Sequence, residues 1–302
     1  MSIKHLTAAE LVAAAGLCLF LACTLLAPWL APYPPDQVVG FSWAAPSQSA
    51  WLGTDNLGRD LLSRLIWGTR ISLVVTLAAA LIAFALGVLL GFIAGLRGGW
   101  IDQLICRCSD VVMSIPTLIW ALIVLSLLPK TLPMIILVLG LIEANRVMRV
   151  ARSLAMDIST QGFVEVARLR GERLRWILWR EIFPNALTVL LAEFAMRFIF
   201  IMLFLSALSF LGLGIQPPTP DWGGLARENK DGIIFGVWAA LLPGLALACL
   251  AVCINVIVDG VLSRRSTPGA RPRVPGLSAA LPVSSAVDVQ AADAEGVGEK
   301  NG

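Results

Sequence analysis

The chain is poor in charge: only 14% of its 302 residues are Asp, Glu, Lys or Arg, against roughly 25% in an average soluble domain. Twenty-three basic and 20 acidic side chains cannot cover a water-facing surface when 58% of the residues are hydrophobic and the mean hydropathy is +0.82. A single soluble core also stops growing near ~250–300 residues. The shortage of charge therefore excludes a soluble protein and points to an integral membrane protein, which its continuous apolar runs make all-α. Histidine is nearly absent as well. With His5 alone, neither a His-Glu-x-x-His helix nor a histidine triad can be built. No Gly-x-x-x-x-Gly-Lys-Ser/Thr loop exists to cradle nucleotide phosphates, so any ATP must be hydrolysed by another subunit. Six cysteines are too few and too scattered for a disulfide framework. Cys18 and Cys23 share one apolar run, Cys249 and Cys253 another, and Cys106 and Cys108 flank an arginine, so all six are expected to be reduced. No cofactor, no metal and no catalytic residue is implied. Neither paired intramembrane aspartates nor a serine with a usable base stands in the apolar runs, which disfavours an intramembrane hydrolase. A net charge of +3 suggests neither nucleic acid nor an acidic substrate as partner.

What the chain has in abundance is long apolar runs. Six are expected to cross the membrane, over residues 11–30, 71–96, 111–128, 132–144, 186–213 and 235–262. The fourth is short and spans only if its helix continues into the arginine-bearing segment after it. The first resembles a signal peptide, but its ~20 apolar residues exceed the usual ~7–15, and Trp29 and Tyr33 suit interfacial anchors. Continuous runs without ten-residue alternation exclude an outer-membrane barrel. Arg146, Arg149, Arg152, Arg168, Arg170, Arg173, Arg175 and Arg180 crowd the segment 145–185 and place it in the cytoplasm, with both termini on the same side. Arg59, Arg64 and Arg70 fall outside in this topology and oppose it, although Asp55 and Asp60 accompany them. From residue 263 the sequence turns rich in Pro, Ala, Ser, Val and Gly and is expected to be a disordered tail.

The segment 145–185 contains the string Phe163-Val-Glu-Val-Ala-Arg-Leu-Arg-Gly171 and, later, Ile182-Phe-Pro-Asn185. A short helix beginning near Thr160 or Gln161 and ended by Gly171 is expected, then a second helix ended before Pro184. Phe163, Val166 and Ala167 at i, i+3, i+4 would form an apolar stripe for a partner's groove, with Glu165 and Arg168 as charged rim. A side chain at Gly171 would clash or forbid the backbone angles the turn needs. The pattern alone also fits a solvated basic loop or a patch for lipid head groups.

These residues resemble the EAA loop of permease subunits in binding-protein-dependent ABC importers, whose pattern is Glu-Ala-Ala, three residues, Gly, nine residues, Ile, one residue, Leu-Pro. Glu165, Ala167, Gly171 and Pro184 match it; Val166 and Phe183 replace Ala and Leu, and Ile182 sits one place late. The strings Leu52-Gly-Thr-Asp-Asn-Leu-Gly-Arg-Asp60, Gly68-Thr-Arg-Ile-Ser72 and Gly98-Gly-Trp-Ile-Asp102 are similar to one branch, the C-type permeases of dipeptide, oligopeptide and nickel importers. Leu208-Ser-Phe-Leu-Gly-Leu-Gly214, Gln216-Pro-Pro218 and Asp221-Trp-Gly223 continue the likeness. The resemblance implies a type I ABC importer permease (MetI-like) fold of six transmembrane helices in the bacterial inner membrane. Together with the composition of the tail, it implies segments 1–70 (first span and periplasmic loop), 71–262 (permease core, with the loop 145–185) and 263–302 (tail). It also implies a B-type permease as heterodimer partner, two ABC ATPase subunits, and a periplasmic solute-binding protein. Peptide is the implied cargo, with nickel or another small solute as the alternative. A passive channel would instead carry its solute without ATP.

Outside that signature, Glu193 and Arg197 stand four residues apart in the fifth run, where a lone charge costs at least ~2.5 kcal/mol. They are expected either to line the substrate path or to form an ion pair near the cytoplasmic end of the span. Glu143, Arg146, Arg149 and Arg152 are expected to fix the loop, and Asn255 and Asp259 to join the last helix to a neighbour. Gly53, Asp55, Gly58 and Asp60 suit turns and a helix start, with Trp51 and Trp67 as anchors. Pro217, Pro218 and Pro220 are expected to stop the fifth helix.

Overall fold

The structure, a computed structural model, describes residues 7–235 and 237–265, and its first compact unit ends at Ser263. The tail expected from residue 263 lies, from 266 on, outside the described residues. Among the described residues the regular elements are helical, with only two isolated β-bridges, Val38 to Arg59 and Thr54 to Asp60.

Helix α1, Ala8–Leu30, opens on a capping box in which Thr7 accepts from the Glu10 amide and Glu10 accepts from the Thr7 amide. Helix α2, Leu61–Arg97, begins ten residues before its apolar run because Asp60 caps it, accepting from the Ser63 amide at 2.8 Å. The segment boundary expected at residue 70 thus falls inside a helix. The run 111–128 is not one helix. Helix α3, Gly99–Met113, ends where Pro116 cannot continue it, and α4, Thr117–Leu127, leaves at a bend of 81°. Helix α5, Leu132–Ser159, does continue through the arginines as its short run required. After α6, Gly162–Leu169, and α7, Leu174–Ile177, a π turn over Leu178–Ile182 feeds α8, Phe183–Phe210. Helix α9, Trp222–Asn229, and the 3₁₀ turns Lys230–Phe235 and Trp238–Ala240 precede α10, Leu241–Arg265.

Four of these helices are long and apolar enough to cross a membrane, or up to five if the bent pair α3 and α4 is one span. The end of α8 differs from expectation. Gly212, at φ +84°, takes the left-handed turn, and the Leu213 amide returns to the Leu208 carbonyl at 2.9 Å, so the helix stops before the prolines are reached.

The tightest pairing in the fold joins α2 to α5. Ala79, Ala83, Gly87, Gly91 and Gly95 recur every fourth residue on α2 and present one nearly bare stripe. A Cβ on Gly87 would lie 2.6 Å from the Val147 Cβ, one on Gly91 would meet the Met148 carbonyl, and one on Gly95 would lie 2.7 Å from the Arg152 carbonyl. From the other side, Gly140 of α5 sits against Ile82 and the Ala79 carbonyl. In a lipid surround, where apolar burial gives helices no preference for each other, such close backbone approach supplies the dispersion contacts that hold them together.

Candidate functional site

The loop that continues α5 is built from a seat and a face. Val164 and Ala167 of α6 are buried against Phe92, Ala151, Ala155, Ile158, Ile177 and Ile182, so α2, α5 and the turn before α8 together hold the short helix in place. Ala167 therefore points inward and belongs to the seat. The apolar residues that α6 turns outward are Phe163, 37% exposed, Val166, 52%, and Leu169, 82%. Glu165, Arg168 and Arg170 are exposed beside them. Sequence spacing gave a stripe but not its orientation, and Leu169 was missed because a leucine within an amphipathic helix reads as core by default.

Gly171 ends α6 at φ +77°, with its amide bonded to the Arg168 carbonyl at 2.9 Å and the Glu172 amide to the Ala167 carbonyl at 3.2 Å. No atom lies within 4 Å of where its side chain would begin. The requirement is conformational, so the expected clash does not exist. Gly171→Ala should cost about 1–2 kcal/mol of loop stability, the price of left-handed backbone for a residue with a Cβ, and reduce uptake only a few-fold. Asn, which tolerates this region better, should restore most of the loss. Uptake assays on the two variants at matched expression test this.

The second helix of the loop does not end before Pro184. It runs on into α8, because widening to i→i+5 bonding over Leu178–Ile182 absorbs the missing proline amide and the bulk of its ring. The Asn185 side chain donates to the Glu181 carbonyl at 2.6 Å and satisfies one of the acceptors there.

Charges upstream fix this assembly. Arg152 makes two bonds to Asp102, at 2.5 and 2.6 Å, and Arg149 reaches Asp110 at 2.6 Å, so α3 is pinned to the last turns of α5. One helical turn or more earlier, Arg197 of α8 pairs with Glu193 at 2.8 Å and with Glu143 of α5 at 3.2 Å. Glu143 also faces Arg146 at 3.7 Å, and Arg146 donates to the Thr117 hydroxyl of α4 at 3.1 Å. Two acids and two bases thus link α8, α5 and α4 with no excess charge. Asn255 and Asp259, by contrast, are exposed on α10 and make no hydrogen bond or ion pair to a neighbouring helix among the described residues.

At the other end of the molecule three motif segments far apart in sequence converge. Asp55 binds Arg59 at 2.7 Å and Arg64 at 2.6 Å, and Glu228 of α9 closes the cluster on both arginines at 2.8 and 2.5 Å. The Asn56 amide donates to the Asn229 side chain at 3.0 Å, and Trp222 donates to Ser72 and Thr69 of α2. Arg59 and Arg64 are therefore neutralised in place, which removes their objection to an outer location. Their partner Glu228, more than 160 residues away, carried no sequence signal.

The six cysteines are free thiols. Residues 87–266, which contain the whole loop, its seat and the charge network, match the family described as binding-protein-dependent transport system inner membrane component. The chain belongs to that permease family. Its curated relatives include the di/tripeptide transport system permease DppC of Pseudomonas aeruginosa, 35% identical over 79% of this chain and 81% of the relative. The glutathione transport system permease GsiD of Pectobacterium atrosepticum is 31% identical over 82% and 84%, and the dipeptide permease DppC of Haemophilus influenzae 31% over 79% and 83%. As a permease of this family, the chain is a transport component of the inner membrane.

Proposed function

We propose that the chain is the C-type permease of an ABC importer for short peptides, paired with a B-type permease, driven by two ABC ATPase subunits and supplied by a periplasmic solute-binding protein. The observation that carries this is the outward apolar face of α6, rimmed by charge and seated on the helix bundle, within a chain whose relatives are di- and tripeptide and glutathione permeases. ATP hydrolysis belongs to the partner subunits; this chain couples their closure to helix movement. Six crossings follow if the bent pair α3 and α4 counts once and α5, despite its arginines, counts with the four apolar helices. Both termini and the loop 145–185 then lie in the cytoplasm, which the arginine count supports.

Closure of the ATPases would pull on Phe163, Glu165, Val166, Arg168 and Leu169. The rigid seat would pass that movement to α5 and α8, and the bundle would rock between inward-open and outward-open forms. Glu193 and Arg197 fit this scheme as a tie between α8 and α5 better than as a lining of the path, since Arg197 already has two carboxylates around it. The test is reconstitution with the four partner chains in vesicles. Labelled dipeptide should accumulate only with ATP and binding protein present. Uptake of nickel alone, or flux of peptide without ATP, would defeat the proposal.

A further inference from the structure

Between the end of α8 and α9 lies a cavity of about 380 Å³, within the usual range of ligand pockets of ~300–1,000 Å³. Ser209, Thr219, Asp221, Arg227, Glu228 and Lys230 give it its polar lining. Asp221 is only 1% exposed, and neither carboxylate oxygen completes a hydrogen bond. The Ser209 hydroxyl and the amides of Gly223 and Gly224 are its nearest polar neighbours and favour the charged form. Burial outweighs them, with Glu228 acting in the same direction, and pushes the carboxyl up to about 6. Glu228 is already committed to Arg59 and Arg64. Arg227 and Lys230 are exposed at the same cavity and have no ion-pair partner among the described residues.

The cavity thus holds an uncompensated acid in its depth and two uncompensated cations at its exposed side. A simple cation would meet Arg227 and Lys230, and a simple anion would meet Asp221 and Glu228. A molecule carrying both charges at its two ends satisfies all of them. We propose that this cavity binds the termini of a short unblocked peptide, Asp221 receiving the ammonium group and Arg227 and Lys230 the carboxylate. This rests on the chain serving a peptide importer, and it adds a site in the permease itself, on the side where α8 ends.

Asp221 also stands at the N-terminus of α9, so a capping role must be separated from a binding one. Asp221→Asn does that, because Asn caps as well as Asp but carries no charge. The assay is displacement of radiolabelled dialanine from the permease–ATPase complex in nanodiscs, without binding protein, by dialanine, N-acetyl-dialanine and dialanine amide. The acetylated peptide should bind at least about tenfold more weakly than dialanine, and Asp221→Asn should lose a similar factor, at an unchanged melting temperature. Should the Asn variant melt early, Arg227→Gln with Lys230→Gln is the second arm. That pair should erase the difference between dialanine and its amide while the demand for a free ammonium stays. Lowering the pH from 7 to 5 protonates Asp221; the other charged groups facing it are Arg227, Lys230 and Glu228, the last of them ion-paired to Arg59 and Arg64. Affinity should fall about tenfold across that interval. Equal binding of blocked and free peptides, retained affinity in Asp221→Asn, or no binding at all would overturn the site. ATP-driven dipeptide uptake, measured in parallel with the binding protein, separates the two ideas. Uptake without this binding removes the site alone, and absent uptake removes the peptide importer.

Discussion

Val166→Asp is expected to cut ATP-driven uptake by about 30-fold or more while leaving the chain inserted and folded. Val166 lies at the middle of the outward face of α6, between Phe163 and Leu169, and it takes no part in the buried cluster that seats the helix. A carboxylate there costs the folded chain nothing, because the position already faces water. In a partner's groove the same carboxylate would be desolvated without a counter-charge. An uncompensated charge left buried costs ~3–5 kcal/mol, more than the ~2 kcal/mol that corresponds to a factor of about 30. Co-purification with the ATPase subunits should fall in step with uptake. Ala167→Asp makes the informative contrast, since that carboxylate would enter the seat and lower the yield of inserted protein before any coupling is measured. Full uptake and full co-purification for Val166→Asp would remove α6 as the coupling element.

How much of this was legible in the sequence depends on the range of the interaction concerned. The short helix and its glycine stop are local: the turn at Gly171 needs only the chain's own amides and carbonyls, so the motif states it directly. The choice of which face α6 turns outward is not local. Val164 and Ala167 turn inward because α2 and α5 supply Phe92, Ala151 and Ala155, and nothing within residues 163–171 says where those neighbours stand. The bend between α3 and α4 was hidden for a different reason. Every window across residues 111–128 is apolar, so the one relevant signal was Pro116, which hydropathy averaging conceals.

The cluster of Asp55, Arg59, Arg64 and Glu228 illustrates the cost of long range most clearly. Arg59 and Arg64 were visible as charges that opposed the topology, with Asp55 beside them, but two arginines beside one buried aspartate need a second acid. Only the folded chain brings Glu228 to them. A buried cluster of this kind gives register more surely than stability, because the desolvation of four charges offsets much of their attraction. Its position, holding the segment before α2 against α9, suits that role: it fixes the wall of the Asp221 cavity, whose lining includes Glu228 itself.

Replacing Gly91 by Leu should prevent the chain from reaching its native fold. The signal was present in the sequence, as small residues at every fourth position from Ala79 to Gly95, and it has a direct physical meaning: the backbones of α2 and α5 touch. At Gly91 even a Cβ meets the Met148 carbonyl, with the Ala151 Cβ 2.7 Å and the Arg152 amide nitrogen 2.9 Å away. These are backbone atoms and a Cβ, none of which can rotate aside. The helices must part, and separation along this stripe also loosens Gly87 against Val147 and Gly95 against Arg152. Overpacking of a core costs ~1–3 kcal/mol when side chains can yield; here they cannot, so the cost should exceed that range. The gain in helix propensity from Gly to Leu, under ~1 kcal/mol, does not offset it. Gly244→Leu is the matched control, because it adds the same side chain inside α10 where no atom lies within 4 Å. Size-exclusion profiles and thermal melts in detergent should show Gly244→Leu monodisperse and at least as stable as the parent, and Gly91→Leu aggregated or melting many degrees lower. A native profile for Gly91→Leu would mean that α2 and α5 do not meet along this stripe, and with it would fall the rigid seat through which α6 is proposed to move the bundle.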